Sequence, residues 1–433
     1  MKKLIVAALM MGAAISAGAQ SGTNSPYSQY GLGVLADQAS GFNRGMNGVG
    51  IGFHEHNQVN YLNPASYSSI DSLSFIFDMG ATGQITNFTE GGVRKNAHNA
   101  DLEYVVAGFR AAKNLGISFG ILPFSTIGYN YTTSSTVFKG DDMNEPVSSV
   151  ITHSGSGGLH QIYLGAGWSP IKGLSVGANL SYFWGTYERS TSVSFTETYA
   201  KTTSRVYSTN VHNYKLDLGV QYTLKALDKD WVTLGATFSP GHNLKADADL
   251  AQYSVNSSTN VTDTATSSIA NAHKLPDMFG VGAMWNHNNQ LKVGFDWTLQ
   301  KWGSIGYPSF ANEDNLKGSL IDGIYKDRKK YNLGIDFVPD ERKRSYFKRV
   351  HYRMGFSYAS PYLSVNGNDG PSEYSLTAGF GFPITNSYNN RSQLNISGQW
   401  VRTSAPGLIK ENTFRINIGF TFNENWFAKW KVQ

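Results

Sequence analysis

The sequence of 433 residues contains no cysteine. This absence excludes structural disulfides, metal sites built on thiolates, and attachment of a lipid to an N-terminal cysteine. A cluster of basic charge is also missing, because the formal net charge of +5 is spread along the chain. Proteins that bind nucleic acid concentrate their lysines and arginines on one face or stripe. We therefore expect no nucleic-acid partner.

Long apolar runs are scarce as well, and the mean hydropathy is −0.30. Outside the N-terminus, no stretch has the length and hydropathy of a membrane-spanning helix. Residues 1–19 open with two lysines, continue through a short apolar run and end on Ala17-Gly18-Ala19. This pattern predicts a signal peptide that is removed before Gln20, and hence an exported protein.

Glycine and aromatic residues are abundant, with 46 glycines, 24 phenylalanines, 24 tyrosines and 9 tryptophans. In many segments apolar and polar residues alternate, as Phe414 and Ile416 do with Arg415 and Asn417. About 14 such segments predict an all-β fold, a transmembrane antiparallel β-barrel. The predicted strands are 72–86, 101–112, 114–133, 158–169, 173–187, 212–224, 230–240, 276–286, 289–299, 328–338, 349–359, 372–384, 391–403 and 411–422.

The connections between the predicted strands alternate between short and long. Short turns lie at 113–114, 170–173, 225–229 and 287–288, and long loops rich in Ser, Thr, Asn and Gly lie at 134–157, 188–211, 241–275 and 300–327. This alternation is typical of barrels in the outer membrane of Gram-negative cells, with short turns in the periplasm. An even number of strands then places both termini in the periplasm. Outer-membrane lipid and lipopolysaccharide are the expected surroundings.

The segment ahead of the barrel has no lasting strand or helix period. Residues 20–70 mix glycines with small and polar residues, and Asn63-Pro64-Ala65 predicts a capped helical start. Such a chain approaches other surfaces closely but buries no core of its own. We predict a plug, or hatch, at 20–70, a barrel at 71–422 and a periplasmic tail at 423–433. The alternative for the first segment is a disordered leader.

The signal peptide, the glycine-rich segment that closes on Asn63-Pro64-Ala65, and the series of strands together resemble the FadL family of outer-membrane long-chain fatty-acid transporters. The resemblance covers the whole mature chain. It implies a plug-gated barrel for hydrophobic compounds, in which an inward kink of the third strand opens a lateral path. Leu122-Pro123-Phe124 lies in the predicted third strand, where a proline removes a ladder hydrogen bond and forces a bulge. The alternative is that Pro123 begins an extracellular loop.

Several charged residues on predicted inward faces do not suit a path for hydrophobic substrates. They are Lys215, Asp217, Lys292, Asp296, Asp336, Arg353 and Arg415. Because buried charges need partners, we expect them to pair with one another or with the plug, which makes the lumen structural. Transport of hydrophobic molecules is the favoured function. The alternative is a non-transporting accessory subunit of an outer-membrane protein secretion or assembly complex.

Two segments are candidate contacts for another outer-membrane or periplasmic protein, one in a basic turn and one in the tail. Their residues are Arg342, Lys343 and Arg344 in the turn and Trp426, Phe427 and Trp430 in the tail. His54-Glu55-His56 could place two metal ligands on one side of an extended strand, but no third ligand is near. We predict no metal, no cofactor and no enzymatic activity, since no carboxylate–histidine–serine set can be assembled.

Overall fold

A computed structural model describes residues 22–139, 145–197, 200–256, 259, 261–310, 316–341, 343–365, 367–384 and 392–425. The predicted signal peptide lies outside these residues, as do Arg342, Trp426, Phe427 and Trp430. Within the described ranges, no helix is long and apolar enough to cross a bilayer. Long antiparallel strands dominate the structure.

Fourteen of these strands form a closed antiparallel barrel, which confirms the predicted fold class. They are β1 (Ser74–Glu90), β2 (Val93–Ala112), β3 (Leu115–Lys139), β4 (Glu145–Ile171), β5 (Leu174–Phe195), β6 (Thr202–Lys225), β7 (Asp230–Ser239), β8 (Met278–His287), β9 (Leu291–Gln300), β10 (Arg328–Phe337), β11 (His351–Ala359), β12 (Ser372–Ile384), β13 (Ser392–Ser404) and β14 (Lys410–Asn425). The last strand pairs with the first, from Ser74–Asn425 to Thr89–Lys410, and this pairing closes the wall.

The two faces of the wall differ as the alternation predicts. On β14, the side chains of Phe414, Ile416 and Ile418 are 51%, 48% and 49% exposed and point away from the lumen. Asn417 and Thr421, on the other face of the same strand, are buried. An outward apolar band around a polar interior is the arrangement that a lipid bilayer requires of a barrel.

One end of the barrel carries the short turns, and we call it the short-turn end. The opposite end is the long-loop end. The β2–β3 turn places Asn114 at a φ of +61°, and the β8–β9 turn places Asn288 and Asn289 at +54° and +56°. Asparagine tolerates this left-handed conformation better than most residues, which suits it to such tight turns.

The prediction that 134–157 and 188–211 are loops is wrong for most of their length. β3 continues to Lys139 and β4 begins at Glu145, with Thr136 opposite Ser148 in the ladder between them. Serine and threonine can extend a ladder beyond the membrane, since β-structure requires a suitable pleated surface rather than an apolar one. The loss of apolar alternation therefore marks where the strands leave lipid rather than where they end.

Strands also occur within the predicted loops 241–275 and 300–327. The paired segments of the long-loop end are His242–Asn243 with Lys274–Leu275, Ala248–Asn256 with Val261–Ile269, Tyr307–Phe310 with Gly318–Ile321, and Ser364–Val365 with Asn368–Asp369. The segment Ala248–Asn256 also pairs with β6 and so extends the wall. Two helical turns, Trp302–Ser304 and Tyr346–Lys348, lie in connections between strands.

Residues 22–70 lie inside the barrel against its wall, and we call this segment the plug. They form the helical turns Pro26–Gln29, Gly41–Arg44 and Pro64–Ser69 and the short strand Val34–Leu35. Glycine allows the plug and the wall to approach closely. A Cβ built on Gly355 of β11 would lie 2.3 Å from the carbonyl carbon of Met46 in the plug, so this contact requires a glycine.

Candidate functional site

The motif Asn63-Pro64-Ala65 anchors the end of the plug to the wall. The Asn63 side chain accepts a hydrogen bond from the Ala65 amide at 3.1 Å and thereby caps the helical turn. Its amide nitrogen donates to the carbonyl oxygens of Ile51 and Val220, at 2.9 and 3.2 Å. The Asn63 side chain therefore both caps this turn and joins the plug to β6.

In the short-turn half of the lumen, plug and wall meet through charged side chains of β9. Lys292 forms an ion pair with Glu55 of the plug at 2.7 Å, and both side chains are largely buried. Asp296 accepts hydrogen bonds from the backbone amides of Gly50 and Ile51, at 2.6 and 3.0 Å. These two inward charges of β9 therefore bind plug groups.

A second charged group joins β10 and β11. Arg353 lies 3.2 Å from Asp336, and both side chains are 3% exposed. The same carboxylate contacts His351 at 3.0 Å, while the Arg353 guanidinium also donates to Asn395 on β13 at 2.5 Å. Removing one member of such a buried group leaves an uncompensated charge, which destabilises a protein by about 3–5 kcal/mol.

A third group ties the plug to β10 and β14 through Asp37. The Asp37 carboxylate lies 2.8 Å from Lys330 and 3.4 Å from Arg415, and Arg415 also donates to Gln84 at 2.8 Å. Burial raises the pKa of Asp37, but the charges of Lys330 and Arg415 outweigh burial and hold it below the ordinary value of an aspartate. The carboxylate is therefore charged at neutral pH.

Lys215 and Asp217 pair with each other on the inward face of β6, and Ser239 donates a further hydrogen bond to Asp217. All seven inward charges that the sequence indicates thus have partners in the lumen or the plug. Alternation on β10 also indicates Lys330, which the sequence analysis missed. In the plug, Arg44 also lies 2.8 Å from Glu103 of β2. The plug residues Asp37, Arg44 and Glu55 have no comparable signal, because the plug has no period that tells which side chains meet the wall.

The wall is incomplete between β2 and β3. Their ladder runs from Ala112–Leu115 at the short-turn end only to Val105–Ile121. Beyond that pair, β2 continues to pair with β1, and β3 continues to pair with β4. Within this described stretch, β2 and β3 no longer pair with each other. Ile85 of β1 still faces outward beside His98, so the seam opens within the apolar band.

Pro123 lies inside β3, close to where the seam opens. The register of the β3–β4 ladder shifts between Pro123 and Ser125, which is the irregularity expected of a β-bulge. Phe124 turns into the protein, where its ring packs edge-on against Phe183 at 4.9 Å.

The plug covers the open seam from inside the barrel. Val34 and Leu35 pair with Thr126 and Ser125 of β3 as a short antiparallel strand. The Ala36 amide donates to the Phe124 carbonyl at 2.9 Å. The Gln38 side chain donates to the Pro123 carbonyl at 2.6 Å. Along this part of β3 the plug therefore takes the place of β2.

Two small cavities flank this segment of the plug. The larger, about 100 Å³, lies between the plug and β10–β14 and is lined by tyrosines together with Arg328, Glu411 and Arg415. The smaller, about 60 Å³, lies directly behind the open seam. Its lining includes the charged residues Asp37, Arg44, Asp101, Glu103 and Arg415. The larger cavity also has apolar lining residues, among them Leu35, Leu363 and Val365. The polar, charged lining of the smaller cavity does not resemble the mostly apolar pocket that binds a hydrophobic compound.

An apolar and aromatic cluster fills the long-loop half of the lumen; we call it the cap. Its buried members include Leu32 of the plug, Phe124, Leu159, Phe183, Leu244, Trp302 and Tyr325. Arg189 enters the cap and lies over the rings of Tyr187 and Tyr207, at 4.8 and 5.6 Å from their centres. It also donates to the Gly31 carbonyl of the plug at 2.5 Å, so the cap and the plug are connected.

The remaining candidate residues do not form a metal site in the described part of the chain. His54 contacts Gln221 at 2.7 Å, and His56 contacts Asp71 at 2.8 Å. No group of three histidine or acidic side chains is placed to hold a metal ion among the described residues. In the basic turn, Lys343 and Arg344 are exposed beside Phe347, which is 72% exposed.

A closed barrel of fourteen strands is also the fold of several solved hydrophobic-compound channels. The toluene transporter TodX of Pseudomonas putida aligns with a TM-score of 0.60 and 14% identity, over 91% of this chain and 100% of TodX. TbuX, the toluene transporter of Ralstonia pickettii, gives 0.59 and 14%, over 89% and 98% of the two chains. A FadL homologue of Pseudomonas aeruginosa gives 0.57 and 12%, over 90% and 98%. At these identities the likeness confirms the predicted resemblance at the level of the fold.

The sequence itself identifies a narrower family. A family model described as BamG matches residues 1–433, and the chain belongs to the BamG family. No curated protein matches the sequence.

Proposed function

We propose that this protein is a non-transporting accessory subunit of an outer-membrane protein secretion or assembly complex. One observation carries the proposal: the inward charges form ion pairs and hydrogen bonds that hold the plug in the lumen. This reverses the order of the two functions that the sequence suggests. The polar groups of the lumen form ion pairs and hydrogen bonds with one another. A plug that moved would have to break these bonds, so we expect the plug to stay in place.

The interior also offers little to a hydrophobic cargo. The two cavities beside the plug are small, and charged side chains line the one behind the open seam. Moving an apolar molecule past Asp37, Arg44 and Glu103 requires desolvating these groups or separating their pairs. A barrel with this interior serves better as a rigid body in the membrane that presents its outer surfaces to partners.

The proposed orientation places the short-turn end and both termini in the periplasm. Phospholipid and lipopolysaccharide surround the apolar band, and the basic turn meets a periplasmic or outer-membrane protein. In that turn the exposed residues Lys343 and Arg344 precede the exposed aromatic residues Tyr346 and Phe347. Aromatic and arginine side chains dominate the energetics of protein interfaces, so these residues, together with Trp426, Phe427 and Trp430, are the proposed contacts.

Copurification from native membranes tests this function. The intact protein should retain a defined set of outer-membrane or periplasmic proteins after mild solubilisation. Phe347→Ala and Arg344→Ala should release a partner at least tenfold more readily, because a buried aromatic anchor contributes roughly 2 kcal/mol or more. Leu320→Ala, at an exposed position of the opposite end, is the matched control. A barrel that purifies alone from gently solubilised native membranes contradicts the proposal.

The second candidate function is plug-gated, lateral uptake of hydrophobic compounds, which the open seam specifically favours. In this case Pro123 and the bulge at Phe124 maintain the opening. Pro123→Val should restore a backbone donor and narrow the seam, so cellular uptake of a labelled long-chain fatty acid should fall severalfold at unchanged barrel abundance. Unchanged uptake, with partner binding that follows the basic turn, would exclude this function.

A further inference from the structure

The seam between β2 and β3 differs from a simple hole, because it is closed by a piece of backbone. Val34 and Leu35 extend the β3 side of the wall by one short strand, and the Ala36 amide continues the same ladder. Backbone N–H and C=O groups at membrane depth require hydrogen-bond partners, since lipid offers none. Where β2 no longer pairs with β3, plug residues therefore provide the hydrogen-bond partners of the β3 backbone.

The plug strand is short compared with the strand that it covers. It provides two residue pairs, whereas β3 continues beyond it as far as Lys139. Next to the plug strand, side chains of the plug bind the backbone of β3. Gln38 donates to the Pro123 carbonyl. The Ser28 hydroxyl accepts a hydrogen bond from the Gly128 amide and donates one to the Gly128 carbonyl. A longer extended segment could satisfy these groups with regular ladder bonds.

We propose that the seam between β2 and β3 is a strand-binding site for an extended segment of a partner polypeptide, which replaces Val34 and Leu35 on β3. This deepens the proposed accessory function and rests on it. The occupant must be a polypeptide, because the positions filled by the plug strand call for alternating backbone donors and acceptors. A hydrophobic small molecule has none to offer.

The surroundings of the site support this assignment. Addition of a strand to an open sheet edge is a common way of binding extended peptides, in which backbone bonds give affinity. The polar cavity behind the seam holds Glu103 on β2 and Arg44 and Asp37 on the plug, which can receive polar side chains of alternate residues. The outward residues of the incoming strand would face lipid and should be apolar. The expected partner segment therefore alternates as a barrel strand does.

The absence of cysteine in the chain makes a clean test available. Leu35→Cys with Ser125→Cys places two thiols on directly opposite residues of the plug strand and β3, and oxidation locks the plug strand in place. The matched control is Ser68→Cys with Ser175→Cys, where the native hydroxyl oxygens lie 2.8 Å apart. That pair ties the plug to β5, far from the seam.

The readout is photocross-linking in native membranes from a benzophenone side chain. One probe replaces Leu102, on β2 where the seam is open, and a second replaces Ile416, on the continuous β13–β14 seam. The probe at Leu102 should cross-link to one defined, alternating segment of a partner, whereas the probe at Ile416 should reach lipid. Oxidation of the Leu35/Ser125 pair should reduce the Leu102 product at least tenfold, and oxidation of the Ser68/Ser175 pair should leave it unchanged.

Two outcomes overturn the inference while leaving the accessory function intact. One is a stable copurified partner with only lipid cross-linked at Leu102, and the other is a polypeptide product that survives oxidation of the Leu35/Ser125 pair. Absence of any copurified partner overturns the accessory function itself, and the strand-binding site with it.

Discussion

The two halves of the lumen hold the plug by different forces. In the short-turn half, the plug is fixed by directional bonds, among them Lys292 to Glu55 and Asp296 to the amides of Gly50 and Ile51. In the long-loop half, the plug contributes Leu32 to an apolar and aromatic cap. Ion pairs and hydrogen bonds specify one position, whereas apolar contacts tolerate small shifts. The difference indicates a fixed body of the plug, which begins at the ion pairs of Asp37, and an adjustable arm, residues 28–36, that covers the open seam.

The largest expected effect on stability comes from removing a buried charge in the short-turn half of the lumen. Asp336→Ala leaves Arg353 and His351 buried without their carboxylate, which should reduce the free energy of unfolding by about 3–5 kcal/mol. Denaturant-induced unfolding of the barrel in detergent measures this loss. In contrast, Asp336→Leu combined with Arg353→Met removes both charges and should recover most of the stability, because an apolar pair of similar volume is often as stable. If Asp336→Ala is as stable as the native chain, this group does not stabilise the wall.

A somewhat smaller effect is expected in the apolar half. Leu159→Ala on β4 opens a cavity in the cap and should reduce the free energy of unfolding by about 3 kcal/mol. Leu164 on the same strand provides the matched control, since it is 62% exposed towards lipid while Leu159 is fully buried. In detergent Leu164→Ala should change stability by less than about 1 kcal/mol. Equal losses in the two variants would mean that the cap is not a packed core.

The smallest effect concerns pH and is confined to the cap. Burial, followed by the charge of Arg189, holds the pKa of His273 below the ordinary value of a histidine. When the pH falls below about 6.5, the unfolded segment gains a proton that the folded cap excludes. The stabilisation from neutral His273 is therefore complete above that pH and is lost progressively as the solution becomes more acidic.

Hydrogen exchange in the hairpin formed by Ala248–Asn256 and Val261–Ile269, corrected for the intrinsic pH dependence, measures this change. Protection should fall on acidification in the native chain, in which His273 contacts Tyr207 and Thr209 at 3.1 and 3.2 Å. His273→Gln should flatten the dependence. A pH dependence that persists in His273→Gln would assign it to another group.

The sequence predicts the wall of the barrel better than its interior. Alternation identifies lipid-facing residues such as Ile416, and inward charges such as Asp336 and Arg353, because each strand has only two faces. It does not show where strands leave the membrane and continue, since Ser- and Thr-rich ladders look like loops. The partners Asp37 and Glu55 could not be predicted, because their positions depend on long-range contacts of an aperiodic segment.

The seam between β2 and β3 is a second feature that the sequence predicts only in part. Pro123 indicates an irregular third strand, because proline cannot donate to a ladder. Nothing near Pro123 in the sequence indicates that Val34 and Leu35, from a distant part of the chain, will pair with β3. A two-residue strand carries too little alternation to be recognised, and its existence depends on the gap left by β2.

The proposed accessory function requires a permanently seated plug and a closed lumen. Single-channel recording of the intact protein in planar bilayers measures whether the lumen is closed. A variant that lacks residues 22–70 provides the comparison, because its heat-modifiable mobility shows whether an empty barrel has assembled. The intact protein should remain silent, whereas the assembled variant should conduct in large, stable steps. Steps of similar size from the intact protein would contradict this expectation.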